Sequence, residues 1–304
     1  MLNAAAARAQ ARREAGILNL AFFRIHHQTS YRYKQPVRLG PHRLVLCPRE
    51  SLELRLVSMD IRTTPPSRIT WGSDVFGNAI ATAEFDTTSD TLEIESSAEL
   101  ELTSAPWPVF PIAASAIEYP FSYSDEERMD LGALLSLQYP ASMGRLSGWA
   151  AGFVRGRPTD TLALLKDLNA GISATASYQA REDEGTQPPA RTLDLGRGSC
   201  RDFAVLFAEA ARALGFGARI VSGYIFNPSE PFGAGTTHAW AEVFVPGAGW
   251  ITFDPTNRQM GGHNLIPVAV ARDLSQAMPV SGTFIGAGGA QASLTVAVRV
   301  TQQV

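Results

Sequence analysis

A strongly marked helix in the second half of the chain constrains the fold most. Ser199 is a good N-cap residue, and Asp202, three positions later, can complete a capping box with it. The residues that follow place apolar side chains on one helical face: Phe203, Leu206, Phe207, Ala210 and Leu214. Gly215 then supplies a stop signal. The pattern predicts an amphipathic helix that begins close to residue 200.

Strands are predicted after this helix. Alternating, β-branched and aromatic residues indicate strands over 219–226, 238–245 and 250–253, and the sequence Pro-Gly-Ala-Gly makes the turn between the last two. A further alternating segment, 292–300, predicts a strand near the end of the chain. A helix packed on such an antiparallel sheet gives an α+β core.

The first hundred residues are predicted to be β-structure instead. Segments 25–33, 52–57 and 92–102 are rich in strand-forming residues or alternate with a period of two, and turn-rich sequence separates them. Several short strands at near-regular spacing are typical of a small sandwich. We therefore expect an all-β, sandwich-like domain in front of the α+β core.

These patterns divide the chain into four parts. Residues 1–22 are expected to form a flexible arm, because an Ala- and Arg-rich start and a short apolar run match a signal peptide poorly. Residues 23–104 form the N-terminal β-domain, and 105–158 form a Pro-rich linker with a helical segment. Residues 159–304 form the core together with its C-terminal strand.

Composition excludes several classes of function. The chain has 304 residues and a formal net charge of −3, so it carries no basic footprint for nucleic acid or for an anionic membrane surface. A chain with two cysteines is not expected to have a disulfide framework, and without a Cys-x-x-Cys motif neither a zinc site nor a redox site is indicated. This cysteine usage favours a reducing, cytoplasmic setting. No cofactor or metal is expected, and the oligomeric state is left open.

Cys200 is the candidate nucleophile. As the first residue of the predicted helix, it lies where the helix dipole favours a thiolate over a thiol. The unpaired amide N–H groups of the first turn can also stabilise an oxyanion. Cys47, in contrast, lies in an alternating apolar run and is interpreted as a buried structural thiol.

His238 and Asp254 are the candidate base and the group that orients it. They lie 38 and 54 residues after Cys200, near opposite ends of a predicted hairpin. With the turn centred between residues 247 and 248, His238 should pair near residue 257, so that Asp254 lies within a few residues of register. Asn257 is a second candidate for the orienting role.

Four further residues are assigned to the surroundings of this site. Trp240 and Trp250 are candidates for its wall, although packing in the core is the simpler interpretation of both. Tyr178 and Gln187 lie in the polar loop that leads to Cys200, and either can supply a second oxyanion donor.

Three motifs in this order carry a resemblance to a known family. The strings Gly-Ser-Cys-Arg-Asp-Phe-Ala, Thr-His-Ala-Trp-Ala-Glu-Val and Gly-Trp-Ile-Thr-Phe-Asp-Pro resemble the bacterial transglutaminase-like superfamily, whose members are also described as cysteine proteases. This likeness covers roughly residues 155–260. The strings Thr-Ser-Tyr-Arg-Tyr and Asp-Val-Phe-Gly-Asn are similar to the N-terminal β-region of the same family.

The resemblance implies a papain-like α+β core in which Cys200 is the nucleophile, His238 the general base and acid, and Asp254 the orienter. It implies acyl transfer on a peptide or protein amide through a thioester, and hydrolysis of a peptide or isopeptide bond is slightly favoured over transamidation. A non-catalytic module that binds a peptide or scaffolds a complex is the alternative.

Two features of animal transglutaminases are not matched. Those enzymes need calcium, but this sequence contains no Asp-x-Asp-x-Asp-Gly loop that would bind it. The acidic patch at 182–184 is too short to serve as a calcium site. Their oxyanion tryptophan lies upstream of the cysteine, whereas the nearest upstream tryptophan here, Trp149, is 51 residues away. Tyr178 is the substitute candidate.

Overall fold

The computed structural model describes residues 19–104, 108–181, 183, 185–227, 236–286 and 289–303. Most of the arm predicted over residues 1–22 therefore lies outside the described residues, and residues 19–22 already belong to a strand. Of the acidic patch, Glu182 and Glu184 also lie outside them.

The helices and strands are numbered in chain order. The strands are β1 (Asn19–Leu44), β2 (Leu54–Thr64), β3 (Arg68–Ser73), β4 (Ala79–Glu84), β5 (Thr88–Ser104), β6 (Glu118–Tyr119), β7 (Thr159–Asp160), β8 (Ser177–Tyr178), β9 (Arg197–Gly198), β10 (Gly217–Ile225), β11 (Thr236–Val245), β12 (Gly249–Asp254), β13 (Gln259–Met260), β14 (Leu265–Ala271), β15 (Val280–Ile285) and β16 (Gln291–Gln303). The helices are α1 (Asp125–Leu131), α2 (Met143–Ala151), α3 (Thr161–Thr175), α4 (Pro189–Leu195) and α5 (Cys200–Ala213). Short 3₁₀ helices cover Ala114–Ala116, Gly132–Leu135, Pro140–Ser142 and Leu274–Ala277.

The core sheet is antiparallel and has the strand order β13-β12-β11-β10-β14. Helix α5 packs on one face of it, where its fully buried Phe203 and Phe207 join Ala241, Val243 and Phe253 of the sheet in one apolar cluster. The predicted α+β core, with the cysteine-bearing helix on an antiparallel sheet, is confirmed.

The N-terminal strands form one continuous sheet, in the order β2-β5-β1-β4-β3. Strand β1 is 26 residues long, and its pairing with β5 shifts register between Arg32 and Val37. One apolar cluster collects side chains from both parts of β1 and from β4 and β5, including Val37, Ala81 and Ile94. The predicted β-rich region is thus confirmed. Its strands belong to one hydrogen-bonded sheet that includes the long, irregular β1, rather than to two separate sheets.

The C-terminal strands correct the predicted division of the chain. Strands β15 and β16 pair with β1 in the N-terminal sheet, and β16 runs antiparallel to β1 with Ile25 opposite Val300. The prediction that the strand near the end of the chain belongs to the core is wrong. Alternation indicates a strand but not its partner, and the long β1 offers an edge that sequence proximity does not reveal.

The segment predicted as a linker is part of the core. Leu146 and Ala150 of α2 are fully buried and join the cluster formed by α5. Tyr123 donates its hydroxyl proton to the carbonyl of Phe244, 2.7 Å away on β11. Residues 108–158 therefore pack against the core sheet and its helix.

The N-terminal sheet covers the face of the core sheet that α5 leaves open. Phe23 and Leu100 pack in one cluster with Tyr224 and Ile266 of β10 and β14. The Asn78 side chain donates to the carbonyl of Val270 at 2.7 Å and accepts from its N–H at 2.9 Å. The core strands are consequently buried on both faces, which explains their dense apolar sequences.

A second contact, next to that of Asn78 with Val270, lies along the outer side of β14. The backbone N–H of Arg49 donates to the carbonyl of Pro267 at 2.7 Å. Asn78 itself is 1% exposed, and its side-chain oxygen also accepts from the Arg49 guanidinium at 3.0 Å. Two loops of the N-terminal region therefore hold one strand of the core.

Candidate active site

Cys200 is the first residue of α5, as predicted. Ser199 precedes it in an extended conformation, and the Ser199 N–H donates to Asp202 Oδ2 at 2.8 Å. The amide groups of the first helical turn have no acceptor one turn earlier in the helix. Cys200 is half-buried, and its thiol is not joined to Cys47 in a disulfide.

Asp202 fastens the start of α5 to the loop before it. Its carboxylate is fully buried and accepts two hydrogen bonds from the Arg181 guanidinium, at 2.7 and 2.9 Å. It also accepts from the backbone N–H of Gln187 at 2.7 Å and from the Ser199 hydroxyl at 2.9 Å. Burial alone would raise the pKa of Asp202, but these donors hold it below its usual value. The carboxylate is thus a fixed negative anchor rather than a catalytic acid.

His238 and Asp254 are in direct contact, although the hairpin register differs by one residue from the predicted one. His238 Nε2 lies 2.8 Å from Asp254 Oδ2, and both side chains are buried. The pair Ala241 and Phe253 sets the register of β11 and β12, which puts Trp240 opposite Asp254 one step further on. Asp254 therefore faces the same side of the sheet as His238, since alternate residues share a face.

Asn257 holds Asp254 rather than the imidazole. Its side-chain amide donates to Asp254 Oδ2 at 2.7 Å, and its backbone N–H donates to Oδ1 at 3.3 Å. The Thr256 N–H donates to Oδ1 at 3.0 Å. Burial raises the pKa of Asp254, yet the bonds from His238 and Asn257 bring it below the ordinary value. The carboxylate stays ionised beside the ring.

The charge state of His238 follows from its partners. Burial lowers its pKa, but hydrogen bonds with Asp254 and then with Cys200 outweigh burial and raise the pKa to about 9. Because Nε2 faces Asp254, Nδ1 is the ring nitrogen left for Cys200. At neutral pH the ring is therefore a cation held between a carboxylate and a sulfur.

The two tryptophans lie in different places. Trp240 is fully buried, and its ring stacks on that of His238 with centroids 6.1 Å apart. Trp250 is the second residue of β12 and lies about 13 Å along the strand from Asp254. It packs on Phe244, and the Arg219 guanidinium lies 4.1 Å over its ring. The prediction that Trp250 forms part of the site wall is therefore wrong.

The two candidate oxyanion donors, Gln187 and Tyr178, differ in whether they are free to bind an oxyanion. Both amide protons of Gln187 are used, one by the Arg197 carbonyl at 3.2 Å and one by Asp202 at 3.1 Å, so the prediction for Gln187 is wrong. Trp149 donates its indole N–H to Thr175 at 3.2 Å. Tyr178 is more than half exposed. Its partial burial is the main cause of the raised pKa of its hydroxyl, and the nearby Cys200 is the second. Tyr178 stays the candidate donor.

Sequence reasoning missed what places Tyr178 near the sulfur. Strands β8 and β9 form a short parallel bridge in which Tyr178 pairs with Gly198, two residues before Cys200. A Cβ at Gly198 would lie 2.9 Å from the Asp202 Cβ, so this close packing requires glycine. Two-residue strands carry no periodicity, and the Gly-rich sequence before Cys200 was the one available signal.

Cys47 differs in part from its prediction. It is half-buried rather than buried, and burial together with Glu50 raises the pKa of its thiol. In the described part of the chain, no three His, Cys, Asp or Glu side chains are grouped as metal ligands. Over the same residues, no helix is long and apolar enough to span a bilayer.

The class of protein follows from this fold and this constellation. Residues 147–255, which contain Cys200, His238 and Asp254, match the transglutaminase-like superfamily. Residues 23–101 match the bacterial transglutaminase-like N-terminal region. In this chain a bacterial transglutaminase-like N-terminal region thus precedes a transglutaminase-like core.

Known proteins of similar sequence span most of the chain. An uncharacterised protein of Mycobacterium tuberculosis (strain H37Rv) is 28% identical over 279 residues, which cover 86% of each chain. An uncharacterised protein of Mycobacterium leprae is 25% identical and covers 92% of this chain and 98% of its own length. A protein-glutamine gamma-glutamyltransferase of Pseudomonas aeruginosa is 32% identical over 99 residues, or 31% of this chain and 14% of that protein.

A solved structure shares the fold over nearly the whole chain. A protein of Cytophaga hutchinsonii, described as a "putative cysteine protease", superposes with a TM-score of 0.72 at 20% identity and covers 93% of this chain and 91% of its own. The likeness therefore includes both the N-terminal sheet and the core.

Proposed function

We propose that this protein is a thiol-dependent enzyme that transfers an acyl group from an amide through a thioester on Cys200. The proposal rests on the contact of His238 with both Asp254 and Cys200. Cys200 is the first residue of α5. The superfamily match over residues 147–255 supports it. The substrate is proposed to be a peptide or protein amide.

The first half of the reaction forms the thioester. The Cys200 thiolate attacks the amide carbonyl carbon, and the Cys200 backbone N–H and Tyr178 hydroxyl stabilise the oxyanion. The C–N bond then breaks, and the His238 imidazolium gives its proton to the leaving amine. Asp254 keeps the ring oriented throughout and stabilises its charged form.

The second half releases the acyl group. Water attacks the thioester carbonyl in hydrolysis, and an amine attacks it in transamidation; His238 takes a proton from either nucleophile, and the sulfur leaves. We favour hydrolysis slightly over transamidation, because water needs no binding pocket of its own, whereas an amine competes with water only where the site selects it. Excess primary amine with a Gln-containing peptide, followed by mass spectrometry, separates an acid product from an amide product.

The first test of the proposal is selective alkylation. At mildly acidic pH, iodoacetamide is expected to label Cys200 faster than Cys47, by about tenfold or more. His238→Ala removes the imidazolium and should cancel most of this difference. Peptide mapping by mass spectrometry after timed quenching measures both rates in one sample, so Cys47 is the internal control.

Equal and slow labelling of both cysteines would contradict the enzyme proposal and favour the non-catalytic peptide-binding or scaffolding module. A positive result is extended by trapping the acyl group on Cys200 and identifying it by mass. A cytoplasmic location, which the cysteine usage predicts, stays a prediction, and cell fractionation with compartment markers tests it.

A further inference from the structure

A cavity of about 200 Å³ opens beside the β8–β9 bridge. Its lining comes from the loop before Cys200, from α4 and from β9, and includes Gln179, Arg181, Asp183, Arg191, Arg197 and Gly198. The Gln179 N–H donates to the Gly198 carbonyl at 2.8 Å, so this wall of the cavity is rigid. Two residues of chain span at most about 7 Å, which places Gly198 within that distance of Cys200. The cavity therefore lies beside the stretch of chain that leads into Cys200.

The cavity is lined by three arginines and one aspartate. Arg181 is already held by Asp202 at 2.7 Å and by Asp183 at 3.4 Å. Among the residues that the structure describes, Arg191 and Arg197 make no salt bridge, and both are exposed. Two exposed arginines therefore line one small cavity, and neither makes a salt bridge within the described chain.

A guanidinium group binds a carboxylate through paired N–H donors, and it keeps its charge at every physiological pH. We propose that this cavity is a subsite for a substrate carboxylate close to the scissile amide, with Arg191 and Arg197 as its ligands. The inference rests on the proposed function of Cys200 and adds a substrate class to it: acidic peptides. The carboxylate belongs either to an acidic side chain or to a chain terminus.

Three electrophiles of nearly equal size test the subsite without knowledge of the substrate. N-iodoacetyl-glutamate α-amide carries a side-chain carboxylate, N-iodoacetyl-glutamine carries an α-carboxylate, and N-iodoacetyl-glutamine α-amide carries neither. In each, the Cys200 sulfur forms a bond to the methylene carbon, and iodide leaves with the electron pair. Intact-mass kinetics and peptide mapping give the second-order rate constant at Cys200.

We expect at least one anionic probe to react about fivefold faster than the neutral probe, as one exposed ion pair would give. The Arg191→Ala/Arg197→Ala double variant should remove this advantage and leave the neutral probe unaffected. Arg145→Ala is the matched control, because Arg145 is an exposed arginine that pairs with Asp194 outside the cavity, and its variant should keep the advantage.

The outcomes separate the two hypotheses. Preference for the first probe assigns an acidic side chain, and preference for the second assigns a terminal carboxylate. Equal rates for all three at Cys200, or an advantage that survives the double variant, overturns the subsite and leaves the proposed function standing. If none of the three reacts selectively at Cys200, the proposed function fails, and the subsite fails with it.

Discussion

His238 shows how one buried side chain can be charged at neutral pH. Burial opposes the imidazolium, yet the pKa rises to about 9 because Asp254 and Cys200 both favour the cation. Asp254 is itself held by three donors from Thr256 and Asn257. The ring is therefore a fixed cation beside the sulfur before any substrate arrives.

Replacement of Asp254 by asparagine should make stability less dependent on pH. The His238 pKa is raised from 6.5 to about 9, so the pair stabilises the fold fully below pH 6.5 and loses that contribution as the pH rises through 9. The lowered pKa of Asp254 sets the lower limit, because the contribution is lost again as the carboxylate is protonated in acid. We expect Asp254→Asn to cost about 1–3 kcal/mol near pH 6 and less at pH 10.

Urea unfolding of both proteins at several pH values measures this difference. Asp167→Asn is the control, because Asp167 forms a partly exposed pair with Arg155 at 2.9 Å and should change stability by about 0–1 kcal/mol at every pH. A constant difference between wild type and Asp254→Asn from pH 6 to pH 10 would contradict the charged pair.

At the scale of elements, the hairpin β11–β12 decides whether the site exists. The sequence centres its turn between residues 247 and 248, but the pairing of Ala241 with Phe253 centres it on 247. The predicted register would have put Asp254 opposite Ala241, on the face away from His238. A shift of one residue moves a side chain to the other face, so the observed register is what brings the two together.

Helix α5 and its start at Cys200 were predictable, because capping residues and apolar spacing are local signals. The roles of Asp202 beyond its cap were not, since Arg181 lies 21 residues away in a loop without periodicity. The partner of β16 was not predictable for a related reason: its alternation is the same whichever strand it joins. Contacts made far along the chain leave no local pattern.

Asp202→Asn should loosen the start of α5. It removes the buried carboxylate that pairs with Arg181, leaves Arg181 only the longer contact with Asp183, and weakens the bond to the Ser199 N–H, at a cost of about 3–5 kcal/mol. We also expect the fast alkylation of Cys200 to slow. Thermal unfolding and the iodoacetamide rate measure the two effects.

Asp194→Asn serves as the comparison for this variant. Asp194 lies in α4 and pairs with Arg145 in solvent, so its loss should cost about 0–1 kcal/mol and leave Cys200 alkylation unchanged. If Asp202→Asn behaves like Asp194→Asn in both measurements, the anchoring role of Asp202 is wrong.

At the scale of the whole molecule, the N-terminal sheet completes the core. It supplies the apolar cover for β10 and β14, and the His27 ring meets the Tyr224 hydroxyl at 3.0 Å between the two regions. The loop 74–78 belongs to one of the strings that carried the family resemblance, and the structure gives it a physical role: Asn78 bonds to β14. The two regions are therefore expected to unfold as one unit.

Asn78→Ala should destabilise both regions together. It leaves the N–H and the carbonyl of Val270 without their partner, which costs about 2–4 kcal/mol in total. Circular dichroism and tryptophan fluorescence during urea unfolding should still give coincident transitions at a lower midpoint. Thr87→Ala, in an exposed turn, should change stability by about 0.5 kcal/mol or less. Separate transitions in the wild-type protein would contradict the single unit.

The contacts of Arg49 and Asn78 with β14 also bear on how copies of this protein behave in a crowded solution. An outer strand with bare peptide groups is a template on which a strand of another molecule can add. Here a carboxamide imitates a neighbouring peptide at Val270, and a backbone amide occupies the carbonyl of Pro267. A fragment without the first hundred residues would keep Cys200, His238 and Asp254, but the outer edge of β14 would be unpaired. We expect such a fragment to self-associate and precipitate.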